Sequence, residues 1–389
     1  MSDNASNITK LNASGRGKLW RVVLLFAAVL FVVAALVLFL FAEELDLDAM
    51  GRRLRYGRVE GRSAYGSFTY EPHSSNRFSR FGDGVAVASV VGLETYGENG
   101  SAALHVDDIM EESALTEGEE LLLHFDVGGA SLSLIHPKNG RLLQLTSDSG
   151  FYDADLSSGD TLCTAAAESG YKTVLRVYND EQKEVYRWFS ASRFMPLCAV
   201  SPDAKAAAAV SVGQTGGTFE STLFFFSTRE AEPVASVSLG DELVYDIRFT
   251  RKDTLCAVTE NRICWFAADG EMTGECELLS GYLSEFDLSG DGFALLKLNL
   301  FQTGDQASVI TVNEKGEELG SFHSSEEILD ISACGKYAAV LTARKLTIFR
   351  RDMTVYAECT NPGGATQVLV RPNGTAFLLS DGAGQLFIP

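Results

Sequence analysis

Two patterns of apolar residues divide the chain. Near the N-terminus, Val22 to Ala42 is unbroken: VVLLFAAVLFVVAALVLFLFA. From Phe78 onward, apolar residues come instead in short runs of 4–8, broken by Gly, Asp, Asn and Ser. The first pattern predicts a helix apolar on every side; the second predicts β-strands joined by tight turns.

The second pattern repeats. An alternating strand, a short turn containing Gly, Asp or Asn, and an Ala- or Leu-rich strand recur eight times. The copies include FSRFGDGVAVAS (78–89), ADLSSGDTLCTAA (154–166), CAVSPDAKAAAAV (198–210) and VLVRPNGTAFLLS (368–380). Their pivot residues are Phe81, Thr116, Ser157, Ser201, Thr250, Ser289, Ser332 and Arg371, spaced by about 35 to 49 residues, as four-stranded propeller blades require. A third strand and a more polar fourth follow most pivots. One four-stranded blade cannot bury both its faces, whereas blades stacked around an axis can. The predicted fold class is therefore all-β, a propeller of about eight four-stranded blades, with seven as the alternative. Small residues such as Ala206 to Ala209 and Ala338-Ala339 suit crowded strands. Asp83-Gly84, Asp291-Gly292 and Asn373-Gly374 supply positive-φ hairpin turns, and their Asp and Asn read as turn formers. The last unit ends early, after GQLFIP, and the alternating segment RSAYGSFTYEP (62–72) is expected to pair with it and close the ring.

The segment LGDELVYDIRFTRKDTLCAVTENRICWFAADGEM (239–272) carries V-x-D-I-x-F, D-x-L, R-I and D-G in order. It resembles the repeat of the DUF5711 family, membrane-anchored propeller proteins of Gram-positive gut bacteria. The resemblance extends over the apolar run and most of the repeat region. It implies the fold and a place in the cell envelope, and no reaction or catalytic residue.

The apolar run is long enough for a bilayer: at about 1.5 Å per residue it spans about 31 Å. Trp20 at its start suits the headgroup level. A cleaved leader needs a small-x-small site, and FLFAEE puts Leu40 there. The expected organisation is a disordered basic cytoplasmic tail (1–19), a single transmembrane helix (20–42), a juxtamembrane linker (43–61) and the propeller domain (62–389). Charge sets the expected orientation. The net charge of −20 divides into +3 before the run and −23 after it. Lys18 and Arg21 flank one end, Glu43, Glu44, Asp46 and Asp48 the other, although Arg52, Arg53, Arg55 and Arg58 follow. The positive-inside rule then puts the N-terminus in the cytoplasm and the large domain outside. So acidic a domain is a poor partner for nucleic acid, whose phosphates need clustered Lys and Arg.

Candidate chemistry is sparse. No nucleophile elbow, zinc-protease helix, phosphate loop, dinucleotide loop or calcium loop occurs. Seven cysteines, an odd number without C-x-x-C, read as free core thiols with no metal site. If LCAVT and RICWF form a hairpin, Cys256 faces Trp265 and Cys264 faces Ala257, on opposite sides of the sheet. His124 and His136 could approach across a hairpin, without a third ligand. Asp153, Asp155, Asp246, Asp287 and Asp330 recur just before pivots. They predict a ring of carboxylates at the channel mouth, able to bind a cation or cationic ligand. The expected function is a non-enzymatic envelope protein, without cofactor, binding a protein, peptide or cell-wall partner on one rim. The alternative is an extracytoplasmic glycan hydrolase or lyase using channel carboxylates.

Overall fold

The computed structural model describes residues 14–40, 46–57, 65–279, 281–301 and 306–389. They belong to two units, Met1–Arg58 and Val59–Pro389.

The first unit contains helix α1 (Ser14–Leu40) and helix α2 (Leu47–Tyr56). Of the expected tail, residues 1–13 lie outside the described residues, and α1 begins at Ser14 instead of residue 20. Among the described residues no helix is long and apolar enough to cross a membrane. Within α1, side chains are described from Trp20 to Val33 alone, a stretch of about 21 Å against a bilayer core of about 30 Å. Helix α2 lies inside the segment expected to be a linker. Its signals are local: the Asp46 carboxylate caps it by accepting from Ala49 N at 2.9 Å, Asp48 sits in the first turn, and Arg53 and Arg55 in the last.

The second unit is the propeller. Among the described residues its strands form eight four-stranded antiparallel sheets. Blades 1 to 7 cover 77–106, 113–146, 151–190, 194–240, 244–277, 282–324 and 328–360, each in simple up-and-down order. Blade 8 takes three strands from 367–387 and its outer strand, Tyr65–Thr69, from the start of the domain, paired antiparallel with Ala383–Phe387. An aromatic cluster welds this seam. The Phe68 ring stacks on Tyr96 of blade 1 at 4.4 Å and meets Phe377 edge-on. The Tyr70 hydroxyl donates to Ser380 O, and Tyr96 donates to Thr69 O at 3.0 Å.

The first strand of each blade lies nearest the axis, and from blade 1 to blade 8 each packs on the first strand of the next. Cross-blade bonds fix their direction. Asp153 accepts from Cys198 N and Asp155 from Val200 N, so two residues onward in one inner strand match two onward in the next. The inner strands therefore run parallel. All connections entering inner strands, and all those joining second to third strands, emerge on one face, here the upper face.

The second strands carry the Ala-rich segments. Ala207, Ala208, Ala209, Ala338 and Ala339 are wholly buried between blades. Gly292 and Gly374 take positive φ in their turns, but in the first blade Gly82 (φ 55°) does so, and Gly84 is a strand residue whose Cβ would strike Tyr96 O. Asn373 acts as a turn former, its side-chain oxygen accepting from Thr375 N at 3.0 Å. Cys256 stands opposite Trp265 and Cys264 opposite Ala257, in the expected register and in different core layers. All seven cysteines are free.

Candidate binding site at the channel mouth

The inner strands line the channel, and all five expected aspartates lie on them: Asp153 and Asp155 on Phe151–Leu156, Asp246 on Val244–Arg251, Asp287 on Tyr282–Gly290 and Asp330 on Ile328–Cys334. They do not make one ring. Blades 1, 2, 4 and 8 contribute no aspartate to it, and four of the five fall into two groups by the charges around them.

Four of the five spend an oxygen on the next blade. Beside the two bonds already named, Asp287 Oδ2 accepts from Ala333 N at 2.7 Å and Asp330 Oδ2 from Val368 N at 2.6 Å. Ser332 Oγ repeats the pattern, accepting from Val370 N at 3.1 Å. The physical need is plain. The inner strands are not hydrogen-bonded to one another as a sheet, so their channel-side N–H groups want acceptors. Asp246 differs, its carboxylate accepting only from the adjoining Ile247 N.

The first group joins Asp153, Asp155, Asp246 and Arg248. Burial, then the Asp246 and Asp155 charges, push the Asp153 carboxyl up to about 7, although Cys198 N opposes the rise. Burial pushes Asp246 up to about 7 and Asp155 to about 6, with Arg248 opposing in both. The sign follows: these folded-state values lie above the unfolded ones, so the fold holds the protons more tightly. The contribution of these three groups to stability falls as pH rises from about 4 to about 7.

The second group centres on Glu285, which the sequence pattern did not single out. Asp330 and Glu285 share a hydrogen bond. Burial and that shared proton, with the Glu285 charge, hold the Asp330 carboxyl well above its usual range. Lys297 pairs with Glu285 at 3.2 Å.

Below the carboxylates, two arginines cross the channel. Arg80 of blade 1 donates from Nε to both Glu117 oxygens (2.9 and 3.0 Å) in blade 2. Its Nη1 reaches Ala333 O of blade 7 at 3.1 Å and Val370 O of blade 8 at 3.2 Å. Arg248 of blade 5 extends to Glu117 O at 3.4 Å. Arg80 and Glu117 end their inner strands, so this crossing sits toward the lower face.

Aromatic residues frame the upper end. Tyr152 precedes Asp153 and meets Phe194 edge-on at 4.9 Å. Tyr245 precedes Asp246 and is exposed, as is Tyr282 at the start of the Glu285 strand. The histidines stay apart: His124 lies opposite Ser133 and bonds the Ser113 hydroxyl at 2.7 Å, while His136 lies opposite Gly140. Burial pushes His124 down to about 4. Among the described residues no three His, Cys, Asp or Glu are placed to hold a metal ion.

Comparisons with known proteins agree on the architecture. The model of a family of unknown function, DUF5711, matches residues 59–381. No curated protein sequence matches the chain. Among solved structures, Chaetomium thermophilum Sqt1 bound to the N-terminus of ribosomal protein L10 is similar at 10% identity. The match covers 85% of this chain and all of that one, with a TM-score of 0.54. A eukaryotic initiation factor matches at 10% identity over 80% of this chain and 83% of its own, TM-score 0.53. The C-terminal WD40 domain of Sif2 matches at 12% identity over 85% and 97%, TM-score 0.51. At such identity the likeness is one of fold.

Proposed function

We propose a binding or scaffold role for this chain, which belongs to the DUF5711 family. In full, the proposal is a non-enzymatic propeller of the cell envelope, held by its N-terminal apolar helix with the large domain outside, engaging a protein or peptide on one rim. The observation that carries it is the use made of the channel carboxylates. Four of the five aspartates tie one blade's inner strand to the next, and Arg80, Glu117 and Arg248 fill the lower channel. Groups committed to the scaffold leave recognition to the rims, where loops from every blade converge. The propeller of Sqt1, similar in fold, takes up the N-terminus of another protein. The apolar length of Val22 to Ala42 and the charge step across it support the anchor and its orientation.

The hydrolase reading has one observation in its favour, the proton shared between Asp330 and Glu285. Glycosidase carboxyls stand about 5 Å or more apart with the sugar bond between them. Carboxyls in hydrogen-bond contact leave no such space, and Lys297 also pairs with Glu285 while Val368 N donates to Asp330. The test is direct. The purified 43–389 fragment should show no turnover of cell-wall glycan or peptide, and the domain should be digested by external protease in intact cells. Hydrolysis abolished by Asp330→Asn, or full protease protection, would refute the proposal.

A further inference from the structure

Exposed apolar side chains are unevenly spread over the propeller. On the lower face, Val185, Val234, Met272 and Val355 are exposed singly, each at or beside the start of an outer strand. On the upper face blades 1 and 2 carry aliphatic side chains, Val90, Val91, Ile109 and Val127, and the exposed aromatic ones form an arc over consecutive blades 3 to 6. Phe189 lies in blade 3, Phe194 in blade 4, Tyr245 in blade 5, Tyr282 and Phe301 in blade 6. Tyr282 is 55% and Phe301 60% exposed. Among the described residues, blades 7 and 8 present no large exposed apolar side chain there. Single exposed apolar residues are ordinary; a contiguous aromatic set on one face is the mark of a docking surface.

The charges around the arc say what would fit it. Asp148, Asp241 and Glu260 stand exposed in the loops leading to or joining its strands. The channel mouth at its inner edge adds Asp153 and Asp246, while Glu285 there is paired with Lys297. The basic residues on this arc are Lys172, Arg193 and Arg262; the Arg193 guanidinium stands over the Phe224 ring at 4.5 Å, and Arg262 is engaged by Glu242 and Glu275. An aromatic surface bounded by carboxylates favours an occupant with apolar anchors and positive charge between them. The Tyr faces add cation–π attraction to the same groups. Anionic lipid surfaces carry the wrong sign.

We propose that the upper face over blades 3 to 6 docks a basic protein segment, its aromatic or aliphatic side chains on the Tyr245–Tyr282–Phe301 arc and a Lys or Arg at Asp246, the mouth aspartate not tied to the next blade. The inference rests on the binding role proposed above and specifies its face and partner chemistry. Of the five aspartates, Asp246 gives no oxygen to the next blade, and Arg248 two residues further down the same strand stops a cation there from passing deeper.

The full chain in detergent micelles is panned against a phage-displayed library of random dodecapeptides, and enriched peptides are measured by fluorescence anisotropy. The expected peptides combine Lys or Arg with Phe, Trp or Leu, and bind more weakly as salt rises. Tyr245→Ala with Tyr282→Ala should weaken them at least tenfold, and Asp241→Lys with Glu260→Lys comparably. Met272→Ala with Val355→Ala, on the opposite face, should leave them unchanged. Binding lost only in the Met272/Val355 variant overturns this face and partner while the wider binding role stands. Peptides without basic residues overturn the partner chemistry. Phosphatidylglycerol vesicles that sediment with the chain through Tyr245 and Tyr282 overturn it in favour of a membrane surface. No enriched peptide overturns the wider role as well.

Discussion

Arg80 should be the most costly single side chain of the channel to remove. It and Glu117 are largely covered, at 12% and 25% side-chain exposure, and they meet as a two-pronged guanidinium–carboxylate pair. Removing the charge leaves the Glu117 carboxylate without its ion-pair partner, with only the Arg248 guanidinium near its backbone oxygen. Breaking a buried pair costs about 3–5 kcal/mol, and water reaching Glu117 argues for the lower end. Ala333 O and Val370 O each lose a donor at about 1 kcal/mol, partly replaced by channel water. The sum is about 4 kcal/mol. Unfolding entropy near 2.1 cal/mol/K per residue over the propeller amounts to about 0.7 kcal/mol/K, so Arg80→Met should lower Tm by about 6 °C. Calorimetry on Arg80→Met, Glu117→Gln and the double variant supplies the test. Because each partner's loss already strands the other, the double variant should melt close to Arg80→Met, with a coupling of about 2 kcal/mol. Losses that simply add would refute the argument, for they would show the pair to be two independent contacts.

Two further outcomes follow from the same structure. Asp246→Asn should stabilise the domain at pH 8 by about 2 kcal/mol, half the ceiling set by its raised pKa because channel water screens it; it should also flatten the loss of stability between pH 4 and 7, and melts whose pH dependence matches the native chain's would contradict the charge assignment. Gly384→Ala places a Cβ 2.1 Å from the Phe68 ring, which Tyr96 holds from behind, so the seam should open and Tm fall by several degrees, whereas an unchanged melt would show that the closing strand contributes little.

The blades were legible because the fold repeats. Ser157, Ser201 and Arg371, picked out by spacing, each begin a turn closed by a bond to the residue three further on. Apolar alternation and turn residues are local signals, and eight copies of a weak signal make a strong one. The carboxylates were legible as positions but not as a function. Asp153 and Asp287 look alike in sequence whether they face a ligand or the next blade, and only the neighbour's free N–H decides between these. Arg80, Glu117 and Arg248 left no trace in the pattern. They lie 37 and 131 residues apart along the chain in their contacts, in three different repeats, and no period relates them. Helix α2 is the opposite case: Asp46 ahead of an acidic first turn and a basic last turn was a readable start and stop, hidden by the absence of a long apolar stripe.

The two layers of the channel together constrain how a partner can be held. The lower layer crosses the axis: Arg80 bridges four blades, and Arg248 reaches from blade 5 to blade 2. Anything threading the channel would have to break charge-assisted bonds that themselves hold the ring. The upper layer instead bonds sideways, from each blade to the next, and leaves Asp246 without a backbone donor on the neighbouring blade. Access is thus graded from the upper face downward, ending where the guanidinium groups begin. A ligand admitted on these terms enters end-on and shallowly, by a side chain, with its body lying across the rim. The proposed protein contact, anchored at the axis, would fit this geometry and would make the exposed aromatic arc and Asp246 at its inner edge parts of one surface.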